Sequence, residues 1–208
     1  MIIPCAAEDI VYRKATNTNM QIALTFDDGP HPGRTPEILD ILEKYGITAT
    51  FFVIGQNVEY YPEVFERTIA EGHEIGNHTY GHRVLSRLSE KEIEGEISAF
   101  NDAIDTYYKE SVSIIRPPEG SYNDSLREYA DKSGTKIVLW SVDTMDWAHR
   151  TVDNIVETVL SETDGGDIIL MHDYISGDSP TPEALEIIIP ELLERGFEFV
   201  TVSKLLVQ

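Results

Sequence analysis

Seven short apolar runs recur along the chain, at 21–26, 49–53, 73–77, 113–115, 136–141, 167–171 and 198–201, and the stretches between them switch to helical spacing. Runs of this length, bounded by Gly, Pro and polar clusters, read as strands. Strands joined through helices cannot form hairpins, so they must lie parallel under a helical cover. The pattern predicts seven β/α units, either rolled into a barrel or left as an open sheet. Several helix ends are written into the sequence. Thr35-Pro36 reads as an N-cap followed by an N1 proline, with Gly46 as the stop. Ser89 to Glu92 is a capping box, after which Ile93, Ile97, Phe100 and Ile104 repeat along one face. Thr181-Pro182 opens another helix, which Pro190 is predicted to kink before Gly196 ends it.

The residues with chemical potential gather at the carboxyl ends of these strands. Ile22-Ala23-Leu24-Thr25-Phe26 runs straight into Asp27 and Asp28, then into Gly29-Pro30. Neighbouring strand side chains point to opposite faces, so two adjacent carboxylates can serve one site only where the strand ends and the chain turns. His78-Thr79-Tyr80-Gly81-His82 follows the third strand, Arg116 the fourth, Asp143 and Asp146 the fifth, and His172 the sixth. In parallel barrels that end of the sheet carries the active site. One carboxylate with two imidazoles is a metal-ligand set with open positions, and the second carboxylate is left free to act as a base. The combination points to a metallohydrolase.

Composition narrows the partners. At 208 residues with 41% hydrophobic content the chain suits one core, read as an N-terminal extension over 1–19 and a single catalytic domain over 20–208. The 16 basic against 37 acidic residues give a formal charge of -21, which disfavours nucleic acid and anionic membranes and suits a neutral or cationic partner, or simply solubility. One cysteine, Cys5, leaves no intramolecular disulfide and no Cys-based zinc cluster, so a metal must rest on His and carboxylate. Met1 to Ala7 lack the charged and apolar regions of a signal peptide, and no run approaches the ~20 apolar residues of a membrane span. The chain is expected to be a soluble monomer with no membrane span.

Five ordered motifs resemble those of the polysaccharide deacetylase family, which shares the NodB homology domain and forms carbohydrate esterase family 4. They are Thr25-Phe26-Asp27-Asp28-Gly29-Pro30, His78-Thr79-Tyr80-Gly81-His82, Arg116-Pro117-Pro118-Glu119-Gly120, Asp143-Thr144-Met145-Asp146-Trp147 and Leu170-Met171-His172, spanning about residues 20 to 205. The resemblance implies a distorted (β/α)7 barrel, one divalent metal with zinc foremost and cobalt, nickel or manganese as substitutes, and removal of acetyl groups from glycans. By the same resemblance Asp28, His78 and His82 bind the metal, and Asp27 is the base that deprotonates the attacking water, with Arg116 pairing it. His172 is then the acid that protonates the leaving amine, held by Asp146. Trp147 and Leu170 would enclose the acetyl methyl, and the Glu119 backbone N–H would face the oxyanion. Thr79 is expected to brace the histidine loop by hydrogen bonding, or to cap a helix, and Asp143 to bind backbone or water.

The family usually carries Tyr where this chain has Glu119. A backbone donor survives that change, whereas the groove wall gains a carboxylate in place of an aromatic surface, favouring a cationic or short substrate or merely facing solvent. The substrate class implied is N-acetylglucosamine units of peptidoglycan or chitin-type oligosaccharides, and Ile10-Val11-Tyr12-Arg13 looks more like bacterial cell-wall members than xylan-directed ones. The same machinery serves an O-acetyl esterase on acetylxylan, and a catalytically inactive glycan-binding protein would share the fold. The family implies an extracellular or cell-envelope location.

Overall fold

The computed structural model describes residues 10–16 and 20–207; Cys5 and the Met1 to Ala7 segment lie outside them. Its strands are β1 (Val11–Tyr12), β2 (Gln21–Asp27), β3 (Thr50–Val53), β4 (Glu74–Asn77), β5 (Ile114–Ile115), β6 (Lys136–Val138), β7 (Val142–Asp143), β8 (Ile168–His172) and β9 (Glu198–Phe199). They form one sheet in the order β1-β6-β5-β4-β3-β2-β8-β7, with β9 added beside the start of β2, and all pairings between these strands are parallel. Helices α1 (Arg34–Tyr45), α2 (Gly55–Tyr60), α3 (Pro62–Ala70), α4 (Glu90–Ile104), α5 (Asp124–Ser133), α6 (Val152–Glu162), α7 (Thr181–Glu194) and α8 (Val202–Leu206) carry the crossovers. The result is the distorted (β/α)7 barrel. No helix of the described residues is long and apolar enough to cross a membrane.

The distortion has a definite cause. The run at 136–141 reads as one strand, but only its start is β6, which lies beside β1 at one end of the sheet, and the chain just beyond it, β7, forms the other end. Leu139–Ser141 carry the chain across the gap, with Leu139 N–H donating to Tyr12 O and Ser141 N–H to Ile168 O. Lower down, the N-terminal segment makes the same crossing, since Val11 and Tyr12 pair with β6 while Ala15 N–H donates to Gly166 O. Lys14 Nζ meets the buried Asp167 at 2.8 Å there. Chain continuity, rather than a ladder of hydrogen bonds, closes the barrel.

Strand alternation sorts β2 and β8 into two faces. Ile22, Leu24 and Phe26, with Ile169 and Met171, pack outward against α1, α6 and α7 through residues such as Leu39, Val159 and Ile188. The alternate residues Ala23 and Ile168 turn inward to meet Phe52, Ile114 and Val138. The same period carries Thr25, Asp27, Leu170 and His172 to the interior. At the carboxyl end of the sheet, inward-facing side chains therefore become polar.

Two helix starts differ from the sequence reading. α1 begins at Arg34, with Gly33 at the capping position and no side-chain cap, so Thr35 lies inside the first turn. α7 likewise begins at Thr181 after Pro180, and it continues through Pro190 to Glu194. Both threonine hydroxyls are engaged elsewhere: each donates to a buried carboxylate, Asp173 and Asp146 respectively. The capping box of Ser89 and Glu92 is present in full.

Candidate active site

Asp27 and His172 occupy the same level on neighbouring strands, as register partners in the β2–β8 pairing. Around them opens a cleft of about 460 Å³ lined by Asp27, Asp28, His78, His82, Glu119, Trp140, Asp143, Trp147, Leu170 and His172. Arg116, Thr79 and Asp146, the remaining residues of the sequence-derived set, are fully buried behind these walls.

Asp27 ends β2 and points inward, 3% exposed. Its Oδ1 accepts from Arg116 Nη1 at 2.7 Å. Arg116 has no exposure, and its remaining donors reach Thr25 Oγ1 at 2.9 Å, Leu139 O at 3.0 Å and Val138 O at 3.3 Å. The guanidinium lies 4.1 Å from the Phe52 ring centroid and 5.7 Å from that of Trp140. A buried cation with this many acceptors holds its carboxylate partner fixed in direction. Burial pulls the Arg116 pKa down and Asp27 opposes it.

Asp28 follows with φ 78°, a left-handed turn that swings its side chain toward the same cleft as Asp27. Thr79 (φ 69°) and His82 (φ 54°) share this uncommon conformation. Asp28 Oδ1 stands 3.3 Å from His78 Nε2 and 3.1 Å from His82 Nε2, yet it is buried without a hydrogen bond. His78 Nδ1 lies 2.8 Å from the Arg116 carbonyl, which can only accept, so the ring proton sits on Nδ1 and Nε2 presents a lone pair. A carboxylate oxygen facing an imidazole lone pair is repulsive unless a cation lies between them. The ligand atoms of Asp28, His78 and His82 all lie within 4.8 Å of one another, and this donor set fits a divalent metal ion.

On the opposite wall, Asp146 is fully buried and accepts four hydrogen bonds. They come from His172 Nδ1 at 2.8 Å, His172 N at 2.8 Å, Thr181 Oγ1 at 2.7 Å and Trp147 N at 2.9 Å. This carboxylate fixes the proton of His172 on Nδ1 and turns Nε2 toward the cleft. Burial disfavours the charged ring, but Asp146 outweighs it, with Asp27 and Asp28 adding the same sign, and His172 is raised to about 9. The charged form of the ring is favoured.

The flanking residues divide. Trp147 is half exposed at the cleft, Leu170 is buried in its wall, and Asp143 holds the Met145 backbone N–H at 2.9 Å and Trp140 Nε1 at 3.2 Å. Thr79 departs from its expected role. Its hydroxyl is buried without a partner, and the histidine loop is braced by backbone instead, with Thr79 N–H donating to Asn77 Oδ1 at 2.6 Å and Thr79 O accepting from Gly55. A side-chain amide two residues earlier, at the end of β4, already satisfies the loop.

Two residues of the site were missed in the sequence. Trp140 covers Arg116 from the cleft side; an aromatic between an apolar run and Asp143 was the available signal. Asp173 is 1% exposed, accepts from Thr35 Oγ1 at 2.6 Å and leaves its other oxygen without a partner. Burial raises its pKa, the Thr35 hydrogen bond lowers it, and the charges of Asp28 and Asp27 raise it further, to about 7. Its carboxylate presses on Gly29, where a Cβ would collide with it. Gly29→Ala should therefore displace the Asp27-Asp28 turn and lower the thermal midpoint by roughly 2–10 °C. Ordinary stability and turnover in that variant would mean that the turn has slack.

Parallel barrel, fixed carboxylate, cationic imidazole and metal-ligand set together define a hydrolase that cleaves acyl bonds with metal assistance. Comparison with known proteins is specific. Residues 14–138 match the family described as polysaccharide deacetylase. The chain is 43% identical over 192 residues to a peptidoglycan-N-acetylglucosamine deacetylase of Bacillus cereus, covering 91% of this chain and 90% of that protein. It is 40% identical over 189 residues to a chitooligosaccharide deacetylase of a Bradyrhizobium species, covering 85% and 86%. Among solved structures, a peptidoglycan N-acetylglucosamine deacetylase in complex with an N-oxidanyl-benzamide superposes with a TM-score of 0.93 at 35% identity, covering 97% of this chain and 94% of that one. The chain belongs to the polysaccharide deacetylase family.

Proposed function

We propose that this deacetylase hydrolyses the acetamide of N-acetylglucosamine units in peptidoglycan or chitin-type oligosaccharides, using a divalent ion held by Asp28, His78 and His82. Two neutral imidazoles and one carboxylate suit zinc best, with cobalt, nickel and manganese as workable substitutes. Such an ion, when bound, supplies Lewis acidity toward water and the acyl oxygen. The remaining work falls to the chain. Asp27, oriented by Arg116, takes the proton of the attacking water as its oxygen bonds to the acyl carbon. The Glu119 backbone N–H, in a turn whose own hydrogen bonds run from Gly120 and Ser121, serves the developing oxyanion. His172 then protonates the nitrogen, the C–N bond breaks, and acetate and the sugar amine leave. Trp147 and Leu170 bound the space for the acetyl methyl, and Asp146 keeps the acid in its productive tautomer.

One observation carries this reading. Asp27 and His172 sit side by side in register, but one is locked to a buried cation and the other to a buried anion. That opposition supports reading one as proton acceptor and the other as donor at a single cleft, as amide hydrolysis requires. The test is acetate release from chitooligosaccharides, peptidoglycan and acetylxylan, before and after chelation and with Zn²⁺, Co²⁺ or Mn²⁺ restored. Release from the N-acetylated glycans that stops on chelation is expected. Release from acetylxylan alone would make the enzyme an O-acetyl esterase, and binding without release would make it an inactive glycan-binding protein. His82→Ala should lose the metal by equilibrium dialysis and turnover with it; full metal occupancy in that variant would remove His82 from the ligand set.

A further inference from the structure

Glu119 is exposed, lines the cleft and makes no hydrogen bond or ion pair among the described residues. Of the other acidic groups of the cleft, Asp27 is paired with Arg116, Asp143 accepts from the Met145 N–H and the Trp140 indole, and Asp28 belongs to the metal-ligand set. No Lys or Arg lines the cleft. Glu119 acts through space on His82 but is held by no hydrogen bond or ion pair among the described residues, so it is the cleft carboxylate left to meet whatever lies beside the reacting sugar.

The side chain is not free to swing away with its loop. Its backbone holds φ 60° and ψ 13° between Pro118 and Gly120. Gly120 N–H donates to Pro117 O and Ser121 N–H to Pro118 O, and a Cβ on Gly120 would meet the Trp140 ring at 2.8 Å. Two proline rings and an indole thus hold the turn, and the direction of the Glu119 Cα–Cβ bond is set by the fold.

We infer that Glu119 selects the sugar next to the one being deacetylated, favouring a neighbour that carries a free ammonium group over a neutral one and disfavouring a neighbour with a carboxylate. This deepens the N-deacetylase reading and rests on it. The consequence follows from the balanced reaction. Water adds its oxygen to the acyl carbon, the C–N bond breaks, acetate leaves, and the freed amine takes up a proton. Each turnover thereby creates the cationic neighbour that Glu119 favours. Deacetylation should feed itself along a strand, giving contiguous free amines rather than a random scatter.

The decisive measurement compares kcat/KM of the zinc-loaded full chain on three short oligomers with the same reacting N-acetylglucosamine. In one the neighbouring sugar is acetylated, in another it has a free amine, and in the third it carries a lactyl carboxylate. At low salt the amine-bearing oligomer should lead the neutral one by about two- to fivefold, the range of an exposed ion pair, and the carboxylate-bearing one should trail. The preference should shrink as salt is raised. Glu119→Gln, which keeps the side-chain shape, should bring the ratios toward one, and Glu119→Lys should reverse their order; thermal midpoints establish that both variants fold. Ratios that are unchanged in both variants, or insensitive to salt in the parent, overturn the role of Glu119 while leaving the deacetylase intact. Absence of acetate from all three oligomers refutes the N-deacetylase reading and this inference with it.

Discussion

Asp27→Asn is expected to cut kcat/KM by roughly 10²–10⁴-fold, the usual worth of general base catalysis, while a divalent ion remains bound at full stoichiometry. Asp27 contributes no atom to the Asp28, His78 and His82 set, so metal and turnover part company in this variant, as they do not in His82→Ala. Stability will fall too, because Arg116 is wholly buried and Asp27 is its one carboxylate partner. Removing one member of a buried pair costs about 3–5 kcal/mol. The three other oxygens around the guanidinium, from Thr25, Leu139 and Val138, favour the lower end. A midpoint lowered by roughly 6–12 °C follows for a chain of this size. Fold and chemistry can be separated by replacing both partners, Asp27→Leu with Arg116→Met. The double variant removes the unpaired charge and should recover much of the midpoint without recovering turnover. Turnover within tenfold of the parent in Asp27→Asn would take the base away from Asp27.

Much of this site was legible because strand geometry is simple. A run such as Ile22-Ala23-Leu24-Thr25-Phe26-Asp27 fixes which residues face the helices and which face the interior, and its polar end fixes where the site opens. Asp28 could be assigned to the same site only through the turn that Gly29-Pro30 announces. What stayed hidden was long-range. The apolar run at 136–141 gives no sign that its start pairs beside β1 at one end of the sheet while the residues just after it, β7, form the other end, because periodicity reports burial and not partners. Thr35-Pro36 and Thr181-Pro182 look like caps, and a threonine at a helix start satisfies either a backbone N–H or a carboxylate from another strand. Here both serve carboxylates, Asp173 and Asp146, and only the tertiary fold distinguishes the two uses. Asp173 itself sat beside His172 as an unremarked acid, since nothing local tells a buried carboxylate from a loop residue.

The second large effect lies at Asp146. Its four hydrogen bonds are all donated to it, so Asn in its place presents an NH₂ group to at least one of those donors and cannot satisfy them all. His172 would lose both its orientation and the charge that keeps it protonated. The sign of the pH effect follows from a pKa raised to about 9. The acid form of His172 persists below that value and disappears above it, so the rate should fall on the alkaline side. The stability that His172 draws from Asp146 is complete below its ordinary pKa of 6.5 and is lost as pH rises through about 9. Asp146→Asn should therefore move the alkaline limb of kcat/KM to lower pH and reduce its plateau by roughly 10²–10⁴-fold. A bound dication opposes the contribution of Asp27 and Asp28, which lowers the limb in parent and variant alike, so the comparison holds only with the same metal in both. Thr181→Val removes one donor and leaves the ring contact intact; its limb should shift in the same direction but by less. An Asp146→Asn enzyme with an unmoved alkaline limb would mean that the proton given to the leaving amine comes from some group other than His172.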